Sequence, residues 1–144
     1  MDQEQKVKLA RQFIENLPYA RALSLRMDDI GDGYAVISFP YSEHLIGYPS
    51  TGVIHGGAVS GLMDTAGGAA VMSHPSNPGG TATIDLRIDY MRGATPGQRV
   101  SATATVYHIT RNVAFVRAVA TDDDIDNPVA TATGSFTVEG TRKP

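Results

Sequence analysis

The stretch Gly52–His74, GVIHGGAVSGLMDTAGGAAVMSH, decides how this chain is built. It is long, mostly apolar and free of proline, which predicts a helix from about Gly56 to Ser73. It also carries five glycines between Gly56 and Gly68, and a single acid, Asp64. Projected at about 100° per residue, Val59, Leu62, Ala66, Ala69 and Ala70 gather on one side, flanked by Ala58 and Met63. That side is the expected core face. The other side holds Gly57, Ser60, Gly61, Asp64, Gly67, Gly68 and Val71. Glycine inside a helix costs about 0.8–1 kcal/mol relative to alanine. Gly61, Gly67 and Gly68 together therefore cost about 3 kcal/mol, a large share of a domain's stability. A solvated face would be better served by Lys, Glu or Gln. The small residues predict a close neighbour on this face, either a ligand or the backbone of another helix. Tight packing, with Asp64 as a plain surface acid, is the alternative.

The rest of the chain reads outward from this helix. Val7, Ala10, Phe13, Ile14 and Leu17 recur at helical spacing, so residues 2–16 predict a helix that Pro18 closes. The GDG at Gly31–Gly33 lies between two β-rich segments and predicts a hairpin turn. Residues 41–54 hold Gly47, Pro49, Ser50 and Gly52 and read as a loop, as does HPSNPGG at 74–80. In TIDLRIDYMR, Ile84, Leu86, Ile88 and Tyr90 alternate with Asp85, Arg87 and Asp89, the pattern of a half-buried strand. RVSATATVYHIT, NVAFVRAVATD and PVATATGSFTVEG complete four strands in a meander, broken at Thr110–Asn112 and at DDDIDNP. The order predicts a single α+β domain over 1–144, one antiparallel sheet wrapped on one central helix. Residues 1–17 form its N-terminal helix, 18–138 its core and 139–144 a tail.

Composition narrows the function. The 144 residues are 42% hydrophobic with a net charge of −3 and no basic run, so neither nucleic acid nor an anionic membrane is an expected partner. With no cysteine there is no disulfide, thiol nucleophile or thiolate metal site. His44, His74 and His108 lack ligand spacing and Asp122–Asp124 lacks that of a calcium loop, so no metal is expected. No cofactor is implied. Ser60 has no G-x-S-x-G elbow around it. The polar start predicts no secretory signal, and no apolar run approaches the roughly 20 residues that span a bilayer. A cytoplasmic location is the default.

The HGG at the helix start suggests chemistry. First-turn amides lack intrahelical acceptors and sit at the positive end of the macrodipole. Glycines there would let a polarised carbonyl approach them. A carboxylate on the same helix would supply a base or nucleophile, and the pair suits acyl transfer. Gly56 and Asp64, however, lie about 12 Å apart at 1.5 Å per residue. One helix cannot bring both to one carbon. Two antiparallel copies can, so an acyl-transfer site predicts a symmetric dimer with the site repeated twice. His55, just before the helix, can fix the loop or touch the substrate; the structural role is the stronger expectation.

GVIHGGAVSGLMDTAGGAA, TIDLRIDYMRGATPGQRVSATATV and the closing VATATGSFTV resemble the hot-dog-fold acyl-CoA thioesterases of the phenylacetic-acid-degradation type, from about Pro18 to Val138. The resemblance implies a dimer or tetramer and hydrolysis of a thioester of coenzyme A or of a phosphopantetheine carrier. It implies Gly56 as the amide that polarises the carbonyl, with Gly57 assisting, and the partner subunit's Asp64 as base or nucleophile. Thr83 matches a hydroxyl that holds the water. Pro49 stands where relatives often carry Asn or Gln, a role neighbouring Ser50 could take over. Arg92, and Arg111 with Asn112, are candidate contacts to the phosphates of coenzyme A. Leu62, Met63 and the 45–54 loop are expected around a medium-chain or aryl acyl group. A hot-dog hydratase or dehydratase, a non-catalytic acyl-CoA-binding module and a purely structural dimerisation domain are the rival readings.

Overall fold

The computed structural model describes residues 2–77 and 79–139, so of the expected tail all but Glu139 lies outside the described residues. α1 (Gln3–Ile14) opens with a capping box: Asp2 accepts from the Gln5 N–H, and the Gln5 side chain accepts from the Asp2 N–H. Pro18 does not close this helix. It begins a second one, α2 (Pro18–Leu23), at the first-turn position where its missing N–H is harmless. β1 (Arg26–Gly31) and β2 (Tyr34–Phe39) form the expected hairpin, with Gly33 at φ +75° in the turn. The segment read as loop contains a 3₁₀ turn, Glu43–Leu45, and a short hairpin of β3 (Ile46–Tyr48) and β4 (Val53–Ile54). α3 (Gly56–Met72) follows, then β5 (Thr83–Tyr90), β6 (Val100–Ile109), β7 (Val113–Thr121) and β8 (Ala130–Thr137).

The main sheet is antiparallel with the order β1-β2-β6-β7-β8-β5. Only β6, β7 and β8 form a meander. β5 leaves its sequence neighbours and pairs with β8 at the far edge, while β6 pairs with β2. α3 touches all six strands of this sheet. Such a helix is covered over more than half its circumference. Gly67 and Val71, assigned by projection to the open side, are accordingly buried along with the expected core face.

The two sheet edges differ. Against β1 lies α1, whose Arg11 Nε donates to Met27 O at 2.8 Å and whose Gln3 side chain donates to Ile30 O. β5 has no such cover among the described residues. The half-burial its alternation suggested holds in part: Leu86 and Ile88 are half-buried against the core, whereas Ile84 is 56% exposed and Tyr90 50% exposed. Its other pleat face, with Asp85, Arg87 and Asp89, is exposed as well. Among the described residues no helix is long and apolar enough to cross a membrane.

Candidate active site

Asp64 stands exposed on α3 and accepts a 2.6 Å hydrogen bond from Thr83 Oγ1, at the start of β5. The two residues are 19 apart in sequence and meet because β5 runs beside the exposed side of α3. Around them is an open depression of about 510 Å³. Gly57, Ser60, Gly61 and Asp64 form one wall, a single face of α3 at helical spacing. Leu86 and Ile88 of β5 and Tyr19 of α2 supply the apolar surface. Ser60 Oγ donates to Gly57 O at 3.1 Å and is thereby tied to its own helix.

The helix start has a distinct pattern of bonds. His55 is the N-cap, and its Nδ1 accepts from the Gly57 N–H at 2.8 Å. A ring nitrogen that accepts is unprotonated, which leaves the proton of a neutral ring on Nε2. The Ala58 N–H goes to His55 O at 3.0 Å. Gly56 is left as the first-turn residue whose N–H has no acceptor among the described residues. Gly57, expected to assist it, donates its N–H to His55 instead. A Cβ at residue 57 would stand 2.9 Å from that ring, so the glycine makes room for the cap.

Two of the interior glycines likewise have close neighbours within the chain. A Cβ at Gly61 would meet the Tyr19 hydroxyl at 2.3 Å, and one at Gly67 would meet the Phe136 ring at 2.7 Å. Only Gly68 is unobstructed, its nearest neighbour being Thr81 Cγ2 at 3.8 Å. The expectation that these glycines clear a face for a ligand or another helix is corrected for Gly61 and Gly67.

Other expected contacts separate. Leu62 and Met63 are 0% exposed and belong to the core, so they do not line the depression. Arg92 is committed inside the fold. Its guanidinium grips the buried Asp122 carboxylate with two 2.7 Å bonds, and its Nη2 also donates to Asn127 O. The Arg92 bonds hold the Asp122 carboxyl well below the usual carboxylate range, with backbone N–H groups of Thr95 and Asp124 adding to the effect against the opposing push of desolvation. Ser50 lies in the exposed turn between β3 and β4, outside the depression. Arg111 and Asn112 are exposed in the β6–β7 turn, at the sheet end where β5 begins. Tyr19 and Tyr90 were missed in the sequence. Their only signal was an exposed aromatic within reach of a glycine, and that is visible only once α2 and β5 are placed.

Comparison with known proteins agrees with this architecture. The Thioesterase superfamily profile matches residues 51–129. A Halobacterium salinarum chain carrying the provisional name esterase is 32% identical over 143 residues, covering 95% of each chain. The medium/long-chain acyl-CoA thioesterase YigI of Escherichia coli is 26% identical over 149 residues, covering 94% of this chain and 95% of that one. In fold, the chain superposes on the E. coli PaaI protein of the phenylacetic acid degradation operon with a TM-score of 0.82, at 23% identity over 96% of this chain and 97% of that one.

Proposed function

The chain belongs to the thioesterase superfamily, with its hot-dog fold, and from that premise we propose that it hydrolyses a medium-chain or aryl acyl-CoA to the free acid and coenzyme A. One observation carries the residue assignment. The helix whose first amide, Gly56 N–H, lacks a partner also bears a carboxylate, Asp64, held by a hydroxyl from β5. Gly56 N–H donates to the thioester carbonyl and to the oxyanion that develops there, at the positive end of α3. Asp64, oriented by Thr83, takes a proton from water as the hydroxyl adds to the carbonyl carbon. The tetrahedral intermediate collapses, the C–S bond breaks, and the proton returns to the departing thiolate. Direct attack by Asp64 expels the coenzyme A thiolate and leaves an acyl anhydride; water then opens it, restoring the Asp64 carboxylate and releasing the acid, with the proton balancing the thiolate, so the products are the same.

The roughly 12 Å of helix between the two groups requires Asp64 and Gly56 from different copies. The uncovered edge of β5, with Ile84 and Tyr90 exposed, supports a homodimer joined there. The apolar surface of Tyr19, Leu86 and Ile88 beside Asp64 supports an apolar acyl group, in keeping with the substrate class in YigI's name. Engagement of His55 Nδ1 by Gly57 leaves the ring only an Nε2–H, which counts against the hydratase reading in so far as that ring would be the base. Thiol release from a panel of acyl-CoAs tests the proposal. Asp64→Asn should lower kcat by about 100-fold or more. Full activity in Asp64→Asn would refute the assignment.

A further inference from the structure

Two consecutive glycines open α3, and glycine has more backbone freedom than any other residue. The peptide between them is nevertheless held at both ends. Its N–H, from Gly57, is donated to His55 Nδ1 at 2.8 Å. Its carbonyl, Gly56 O, accepts from the hydroxyl of Tyr90 at 2.9 Å. The preceding peptide is held too, because His55 O accepts from the Ala58 N–H at 3.0 Å. The Tyr90 ring lies along Gly56, where a Cβ would stand 3.4 Å from Cε1. A helical carbonyl already has the amide four residues on as its partner. The bond from Tyr90 is therefore not needed to satisfy the helix.

We infer that Tyr90 is a positioning residue, whose phenol fixes the Gly56–Gly57 peptide so that the adjacent Gly56 N–H stays aimed at the thioester carbonyl. The inference rests on the reading of Gly56 as the oxyanion donor. Such a donor lowers the barrier only if it is aligned before charge develops. With the peptide planes on both sides of Gly56 held, a flexible Gly-Gly start becomes a preorganised one. Tyr90 ends the same strand that begins with Thr83, so one β5 aligns the acid of one site of the proposed dimer and the amide of the other.

Tyr90→Phe removes the hydroxyl and keeps the ring. In thiol-release assays its kcat should fall about tenfold, less than the 10²–10³ for loss of a whole donor. Its KM, its Tm and its affinity for a non-hydrolysable thioether analogue of acyl-CoA should match those of the wild type. A kcat within twofold of wild type overturns the role. So does a loss that appears in KM or thioether affinity, or one accompanied by a large fall in Tm, because those mark binding or simple packing. Asp64→Asn in the same assays separates the two levels. An inactive Asp64→Asn beside a fully active Tyr90→Phe removes the Tyr90 role alone, whereas a wild-type chain with no thiol release removes both.

Discussion

Replacing Arg92 with methionine distinguishes two roles for that residue. In the structure its guanidinium makes two 2.7 Å bonds to Asp122, whose side chain is 0% exposed while that of Arg92 is 27% exposed. Removing one member of a buried pair costs about 3–5 kcal/mol, because a charge is left without its partner. Asp122 keeps backbone N–H bonds from Thr95 at 2.9 Å and Asp124 at 3.1 Å, and Arg92 is partly solvated, which places the loss near the lower end, about 3 kcal/mol. For a chain of this size that is a fall in Tm of roughly 10 °C. The assay is thermal unfolding at fixed protein concentration, since assembly makes Tm concentration-dependent. Adding Asp122→Asn should recover part of the loss, because the amide oxygen still accepts and no charge is stranded. The pH dependence has a definite sign. The folded Asp122 carboxyl titrates below its unfolded value of about 3.9. The pair therefore contributes fully above the carboxylate range, and its contribution is lost as pH falls through that range. Wild type and Arg92→Met should converge in stability under strong acid. An unchanged Tm together with a several-fold higher KM for acyl-CoA would refute this reasoning and return Arg92 to contact with the coenzyme.

Gly67→Ala should lower stability by about 1–3 kcal/mol, because its Cβ would press into the Phe136 ring. Gly68→Ala has room and should gain up to about 1 kcal/mol; chemical denaturation of both variants checks the contrast, and a loss at Gly68 would instead reveal a second copy against that turn. Thr83→Val should leave Tm nearly unchanged while reducing kcat about tenfold through the lost bond to Asp64, measured by thiol release. Ile84→Lys places charge on the bare edge and should shift sedimentation to the single-copy mass with loss of activity. A stable, active dimer in that variant would move the interface elsewhere.

Local pattern in the sequence carried the parts of the molecule that depend on near neighbours. The bounds of α3, the Asp32–Gly33 turn and the strand breaks followed from periodicity and turn residues. Asp64 stood out because an acid in an apolar run is conspicuous, and Thr83 came from the family resemblance. The errors arose where distant segments meet. Helical projection assumes one buried side, but a helix touching all six strands buries a wider arc, which misplaced Gly67 and Val71. Alternation in TIDLRIDYMR gives a face but cannot say whether a strand lies inside a sheet or at its edge. Arg92 resembled a free cation because its partner lies thirty residues further on. The glycines signalled close approach correctly, yet Tyr19, Phe136 and His55 were the neighbours, and nothing in the sequence ties those rings to those positions.

The pairing of β5 with β8 also dictates an order of events during synthesis. Thr83 lies opposite Phe136 and Tyr90 opposite Ala130, so β5 has no strand to join until nearly the whole described chain has been made. The β1–β2 hairpin and the first turns of α3 can form much earlier, since their contacts are local. A nascent chain halted before residue 130 would thus carry α3 with β5 unpaired and open to unwanted pairing. On the proposed reading, the site needs this pairing first and then a second copy at the β5 edge.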